Sequence, residues 1–272
     1  MAQPTSVPID SVRTALIDEW ARLRSLASQL DDAAWYGPSI LPGWSTGDVI
    51  AHIIGTESLL DGRAVPDVDI SDAAHVRNPI GELNERWLTH FRKSSRQQVL
   101  DAYDEIIAVR TGTLNAMSQN DFDAQTATPA GPDSYGRFMR IRTFDCWVHD
   151  IDLRDSLRLP APAQSAAAEW GITEIFASLP YVVGKRASAP SGTRVQVDVT
   201  GAATATARIY VGDRAGLVDD FGSAAPDVTL RVDAVDLARL AGGRSSADPT
   251  SVTADGDTAL AQTIVAKLNY VV

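Results

Sequence analysis

The apolar residues of this chain keep two different periods, and the change between them divides the molecule. From Ile9 to Val183 they recur at three- and four-residue intervals, as packed helices require; from Val195 onward they alternate, as half-buried strands do. Val12, Leu16, Trp20, Leu23, Leu26 and Leu30 mark a first helix. Ser45, with Asp48 three residues on, opens a second as a capping pair. Helical spacing returns over residues 80–91 and 95–117, where Val99, Tyr103, Ile106, Val109 and Leu114 form the inward stripe. Another long helix is predicted over 136–156, stopping before Pro160 and Pro162, and a further one over 163–183. Segments 31–42, 65–79 and 118–135, rich in Pro, Gly and Asp, are read as loops.

The stretch KRASAPSG at 185–192 is suited to a linker. Beyond it, Val195, Val197 and Val199, then Ala205, Ala207, Ile209 and Val211, then Val228, Leu230 and Val232 read as strands, with short helices over 234–240 and 257–268. The expected fold class is α + (α+β), with an N-terminal helical bundle in residues 1–185 and a small α+β domain in 190–272.

Composition removes several classes of function. A net charge of −11 repels phosphate backbones and anionic membrane surfaces, and no basic cluster acts locally against it, so neither nucleic acid nor a membrane is an expected partner. No segment approaches the roughly 20 apolar residues of a membrane span. The N-terminal residues lack a basic stretch followed by an apolar run, which points to the cytosol. A single cysteine, Cys146, excludes an internal disulfide and a cysteine-based zinc cluster, so any metal site must be of the histidine and carboxylate type.

Two histidines lie mid-helix among apolar neighbours: His52 in LPGWSTGDVIAHIIGTE and His149 in RTFDCWVHDIDLRDSLRLP. Asp145 precedes His149 by four residues and Asp152 follows it by three, so one helix face carries all three together with Phe138, Ile141 and Val148. On this spacing the polar groups interrupt a core-facing stripe. Burying an unpartnered carboxylate costs several kcal/mol, so either a cation or a polar network must compensate. In the first reading His52, Asp145 and His149 hold a divalent ion between two helices. In the second, His149 donates to Asp145 or Asp152, and His52 bonds Asp48 one turn back. His75 and His90 read as solvated. Cys146 points about 100° away from Asp145 around the helix and reads as core, and Trp44 and Trp147 as core or pocket wall. Arg244, after Gly242-Gly243, stands on a turn where it would hold a carboxylate or pair with Asp248 or helix-end carbonyls.

Together, PGWSTGDVIAHIIGTE and RTFDCWVHDIDLR resemble the mycothiol-dependent maleylpyruvate isomerase family, within the DinB-like metalloprotein superfamily. VDAVDLARLAGGRSS and TADGDTALAQTIVAKLN resemble that family's C-terminal domain, which is related to sterol-carrier folds. The resemblance implies a DinB-like four-helix bundle that holds a divalent metal, usually zinc, through His52, Asp145 and His149. It implies too that Arg244 reaches toward the metal from the C-terminal domain and assists substrate handling. The family pattern has glutamate where this chain has Asp145, one methylene shorter.

The cofactors implied are zinc and mycothiol, and the partner a small electrophilic substrate, probed as a carboxylate by Arg244. In the family's isomerisation a thiolate adds to an activated double bond, rotation follows, and elimination returns the trans product. Cys146 faces the wrong way, so the thiol is external. Arginine-rich, lysine-poor composition suits an actinobacterial host, where mycothiol is the major small thiol. Two other readings stand beside isomerisation or thiol transfer. One is metal-assisted hydrolysis. The other is a binding protein with a structural metal and a deep apolar pocket in residues 190–272.

Overall fold

The computed structural model describes residues 4–74 and 76–270. By internal contacts the chain forms two compact units, Met1–Arg142 with Asp152–Pro160, and Thr143–Ile151 with Ala161–Val272. An N-terminal helical region is followed by a sheet-containing one, as the change of period requires.

In the first unit α1 (Ile9–Ser28), α3 (Thr46–Leu60), α4 (Pro79–Phe91) and α5 (Arg96–Ala116) pack on one another. The stripe expected on the first helix is buried throughout, from Val12 to Leu30, although α1 itself ends at Ser28. Helix α3 begins where the sequence places it. Ser45 Oγ accepts from the Asp48 N–H at 3.1 Å and Asp48 Oδ2 accepts from the Ser45 N–H at 2.8 Å, closing a capping box. Two glycines let aromatic rings lie directly on this helix. A Cβ on Gly55 would come within 2.6 Å of Trp87 on α4, and one on Gly47 within 2.5 Å of the Trp35 indole. On α5 the stripe differs from expectation at one position. Val109 is 39% exposed, and the buried place one residue on belongs to Arg110.

Two of the segments read as loops contain structure. Within 31–42, Asp31 caps the one-turn helix α2 (Asp32–Tyr36) by accepting from the Ala34 N–H. Within 118–135, α6 (Gln119–Asp123) leads into a hairpin of β1 (Gln125–Thr128) and β2 (Gly131–Ser134), with Gly131 at φ +99°. These strands are too short and polar to show alternation. Side-chain bonds hold the turn instead: Thr128 Oγ1 donates to the Gly131 carbonyl at 2.6 Å and accepts from the Ala130 N–H at 3.1 Å.

Helix α7 (Tyr135–Leu157) belongs to both units. It is buried on nearly every side from Met139 to Leu153. Of the stripe expected to face the core, Phe138, Ile141 and Asp145 are only half-buried, whereas Val148, His149 and Asp152 are buried. All-round burial leaves no amphipathic signal from which the sequence alone could orient the helix.

In the second unit α8 (Ala166–Tyr181) runs into a π-helical turn (Val182–Arg186), where the sequence suggests the start of a linker. The sheet has the order β5-β4-β3-β6-β7, with β3 (Arg194–Thr200), β4 (Ala205–Val211), β5 (Ala215–Leu217), β6 (Val228–Asp233) and β7 (Thr253–Gly256). Only the β3–β6 pair is parallel. The alternating residues 195, 197, 199, 207, 209, 211, 228, 230 and 232 are all buried, and α8, α9 (Ala234–Ala241) and α10 (Thr258–Val265) pack on the sheet. Burying a Val, Leu or Ile side chain contributes about 1.5–3 kcal/mol, so this face alone accounts for the layer. The short β5 and β7 carry no such alternation, which is why the sequence does not announce them.

One carboxylate fastens the N-terminal segment to the start of α7. Asp133 accepts from the Thr5 N–H (2.6 Å), the Thr5 hydroxyl (3.0 Å), the Ser134 N–H (2.7 Å) and Arg137 (2.8 Å), while Ser134 caps α7. Burial by itself raises the Asp133 pKa; Arg137 and the Thr5 and Ser134 donors outweigh it and hold the carboxyl well below the usual carboxylate range. A depressed folded-state pKa gives stability that is present above the unfolded value, near 3.9, and lost as pH falls through the folded one. Asp133→Asn should therefore lower thermal stability at pH 7, by about 1–3 kcal/mol. The gap between variant and wild type should narrow below about pH 4 in thermal melts across pH. A gap independent of pH would contradict this account.

Candidate metal centre

His52 stands mid-way along α3 and is 6% exposed. Its ring lies 5.4 Å from that of half-buried Trp44, tilted at 41°. Trp44 is thus a wall residue. Asp48, one turn back, is engaged elsewhere: besides the capping bond it accepts from Arg92, whose guanidinium also reaches buried Glu85 and the Gly43 carbonyl. Desolvation opposes the charge on Arg92, yet Asp48 and Glu85 outweigh it and raise its pKa. Arg92 thereby fixes the Gly43-Trp44 loop against the N-terminus of α3.

Asp145 and His149 share one face of α7. The Asp145 side chain is 31% exposed and that of His149 only 7%. His149 Nε2 and Asp145 Oδ1 lie 3.6 Å apart, beyond a good hydrogen bond. Two donors bound about 2.1 Å from a tetrahedral ion stand about 3.4 Å from each other, so this separation fits shared coordination better. His52, Asp145 and His149 each offer one ligand atom, and those atoms lie within 4.8 Å of one another. Nitrogen and oxygen donors of this kind suit zinc and other first-row divalent ions. Among the described residues three side chains converge in this way, which in four-fold coordination leaves one position for an external ligand.

The remaining sequence candidates fall as follows. Cys146 is fully buried and in no disulfide, and Trp147 is buried with its ring against Gly171. Asp152 is fully buried. His90 is exposed and stands edge-on to Phe91; His75 lies outside the described residues. Arg244 is half-buried on the turn after α9, where its Nη1 donates to the Gly242 carbonyl at 2.9 Å, and Asp248 accepts from Thr250. The turn itself depends on Gly243 at φ +59°, where a Cβ would meet Asn269 at 2.6 Å.

Sequence reasoning overlooks a second buried cluster beside the ligands. Glu57, with no exposure, accepts from Arg110 Nε at 2.9 Å and from Arg142 Nε at 2.9 Å. Arg110 also donates to the Tyr135 hydroxyl at 2.9 Å. Desolvation acts against the Arg110 charge, but Glu57 and Tyr135 overcome it and raise its pKa. The signal available in the sequence was Arg110 lying four residues after Ile106, on the buried stripe of α5.

A helical region bearing an imidazole and carboxylate cluster, joined to an α+β region, defines a class of candidate metalloenzyme. Comparison with protein families narrows it. Residues 16–154 match the mycothiol maleylpyruvate isomerase N-terminal domain and residues 169–263 the corresponding C-terminal domain. The chain belongs to the mycothiol maleylpyruvate isomerase family, a family of enzymes. Among solved structures, the mycothiol-dependent maleylpyruvate isomerase is similar with a TM-score of 0.59 at 15% identity, over 94% of this chain and 96% of that one. A histidine-to-alanine mutant of the same enzyme gives 0.56 at 15% identity with the same coverage. At that identity the likeness speaks to fold. No curated protein matches the chain. No described helix is long and apolar enough to cross a membrane.

If the three donors act together, protein dialysed against Co²⁺ or Zn²⁺ should retain about one ion per chain. His52→Ala and His149→Ala should each lose it. Retention by both variants, measured by elemental analysis, would sink the assignment.

Proposed function

We propose that this protein is a cytosolic, zinc-dependent enzyme that uses mycothiol for isomerisation or thiol transfer on a small, carboxylate-bearing electrophile. The observation that carries the reading is the convergence of His52, Asp145 and His149 in a chain whose two parts both match the family. On this reading the bundle, residues 1–185, holds the ion, and residues 190–272 supply Arg244.

A bound divalent ion supplies Lewis acidity that favours the thiolate, the nucleophilic form of a thiol. The protein's own side chains do the rest. His52 and His149 present imidazole nitrogens from two helices, and Asp145 adds a carboxylate oxygen. Trp44 covers one side of His52 and restricts water there. Arg244 neutralises the substrate carboxylate or a developing enolate through its planar guanidinium. The half-open face of Phe138, Ile141 and Asp145 gives such a substrate its approach.

The binding-protein reading is disfavoured by the second unit's interior. The apolar cavity among Leu179, Val197, Leu230, Leu237 and Ile264 measures about 10 Å³, less than a small molecule needs. Calorimetric titration of the zinc-loaded protein with mycothiol should give saturable heat, whereas glutathione and cysteine should not. Silence with mycothiol would leave metal-assisted hydrolysis as the better reading. Arg244→Ala should lower turnover roughly 10²-fold with metal content unchanged. Loss of the metal in that variant would show that its role is misassigned.

A further inference from the structure

We propose that Arg142 is a positioning residue for the cation site: its bond to Glu57 holds α7 in the register at which Asp145 and His149 face His52. The inference rests on the cation reading above. Glu57 follows His52 by five residues on α3, while Arg142 precedes Asp145 by three and His149 by seven on α7. The 2.9 Å contact from Arg142 Nε to Glu57 Oε1 therefore joins the two ligand-bearing helices within two turns of every donor. Both side chains are 4% exposed or less, so water does not compete for the bond.

The two arginines on Glu57 differ in what they join. Glu57 is one carboxylate between two buried guanidiniums. The two arginines approach its two oxygens from different helices. Arg142 ties α3 directly to α7 three residues before Asp145, whereas Arg110, on α5, which carries no ligand, reaches α7 only at Tyr135 and Met139, ten and six residues before Asp145.

Electrostatics gives the test its sign. Removing a positive charge near the donors favours a cation, so a purely electrostatic role predicts tighter binding in Arg142→Met. Positioning predicts weaker binding, because the donors lose their mutual register. Groups that orient metal ligands typically change affinity by about 10–100-fold. We expect Arg142→Met to weaken Co²⁺ binding by about that factor in calorimetry and to shift the visible Co²⁺ absorption, which reads ligand geometry. Arg110→Met, which leaves the Arg142–Glu57 bond intact, should stay within about threefold of wild type, well short of that factor. Arg142→Lys keeps the charge but not the planar fork, and should fall between them.

Unchanged or tighter binding in Arg142→Met, or equal losses in both methionine variants, would overturn the proposal. If Arg142→Met fails to fold by circular dichroism, Arg142→Lys decides: wild-type affinity and absorption in that variant overturn it. A wild-type protein that binds no Co²⁺ refutes the cation reading itself, an outcome distinct from all of these.

Discussion

Glu57 is a carboxylate with no exposure to solvent, and three helices meet at its two oxygens. One takes Arg110 of α5 and the other Arg142 of α7, while Glu57 itself belongs to α3. Breaking a buried pair by deleting one partner costs about 3–5 kcal/mol, a large share of the 5–15 kcal/mol by which a domain is stable. Apolar packing holds helices together but tolerates sliding by a fraction of a turn. A charge-assisted bond between two fixed side chains does not, and in this bundle it fixes the level at which α3 and α7 face each other.

The rest of the site inherits that level. Helix α3 is held at its start by the Ser45–Asp48 box and by Arg92, and along its length by rings seated on Gly47 and Gly55. Helix α7 is held at its start by Ser134 and the Asp133 cluster, and along its length by burial on almost every side. His52 on α3, and Asp145 and His149 on α7, are thus carried by two helices each restrained by contacts of its own besides the tie at Glu57. Such restraint is what keeps donor atoms near coordinating distance in the protein alone.

Much of this was legible in the residues. Period changes located the helical and sheet regions, and turn chemistry located most of the boundaries. His52, Asp145 and His149 were legible for a different reason: polar side chains in apolar helical surroundings need an explanation, and helical spacing limits which of them meet. The orientation of α7 was not legible, because a helix buried all round has no polar face to read. Arg110 hid in the same way, since an arginine on an apolar stripe looks like a flaw in the stripe until its partner on another helix is known. The hairpin of β1 and β2 escaped because strands of four residues, held by threonine hydroxyls, carry no alternation.

Trp44 has a use beyond walling the site. Most of the tryptophans in this chain are deeply buried, Trp20, Trp35, Trp87 and Trp147 among them, whereas Trp44 is half-buried with its indole 5.4 Å from the His52 ring. Charge arriving on or beside that imidazole changes the field across the indole beside it. The chain's native tryptophan emission thereby becomes an optical gauge of what occupies His52, readable without a label and before any turnover.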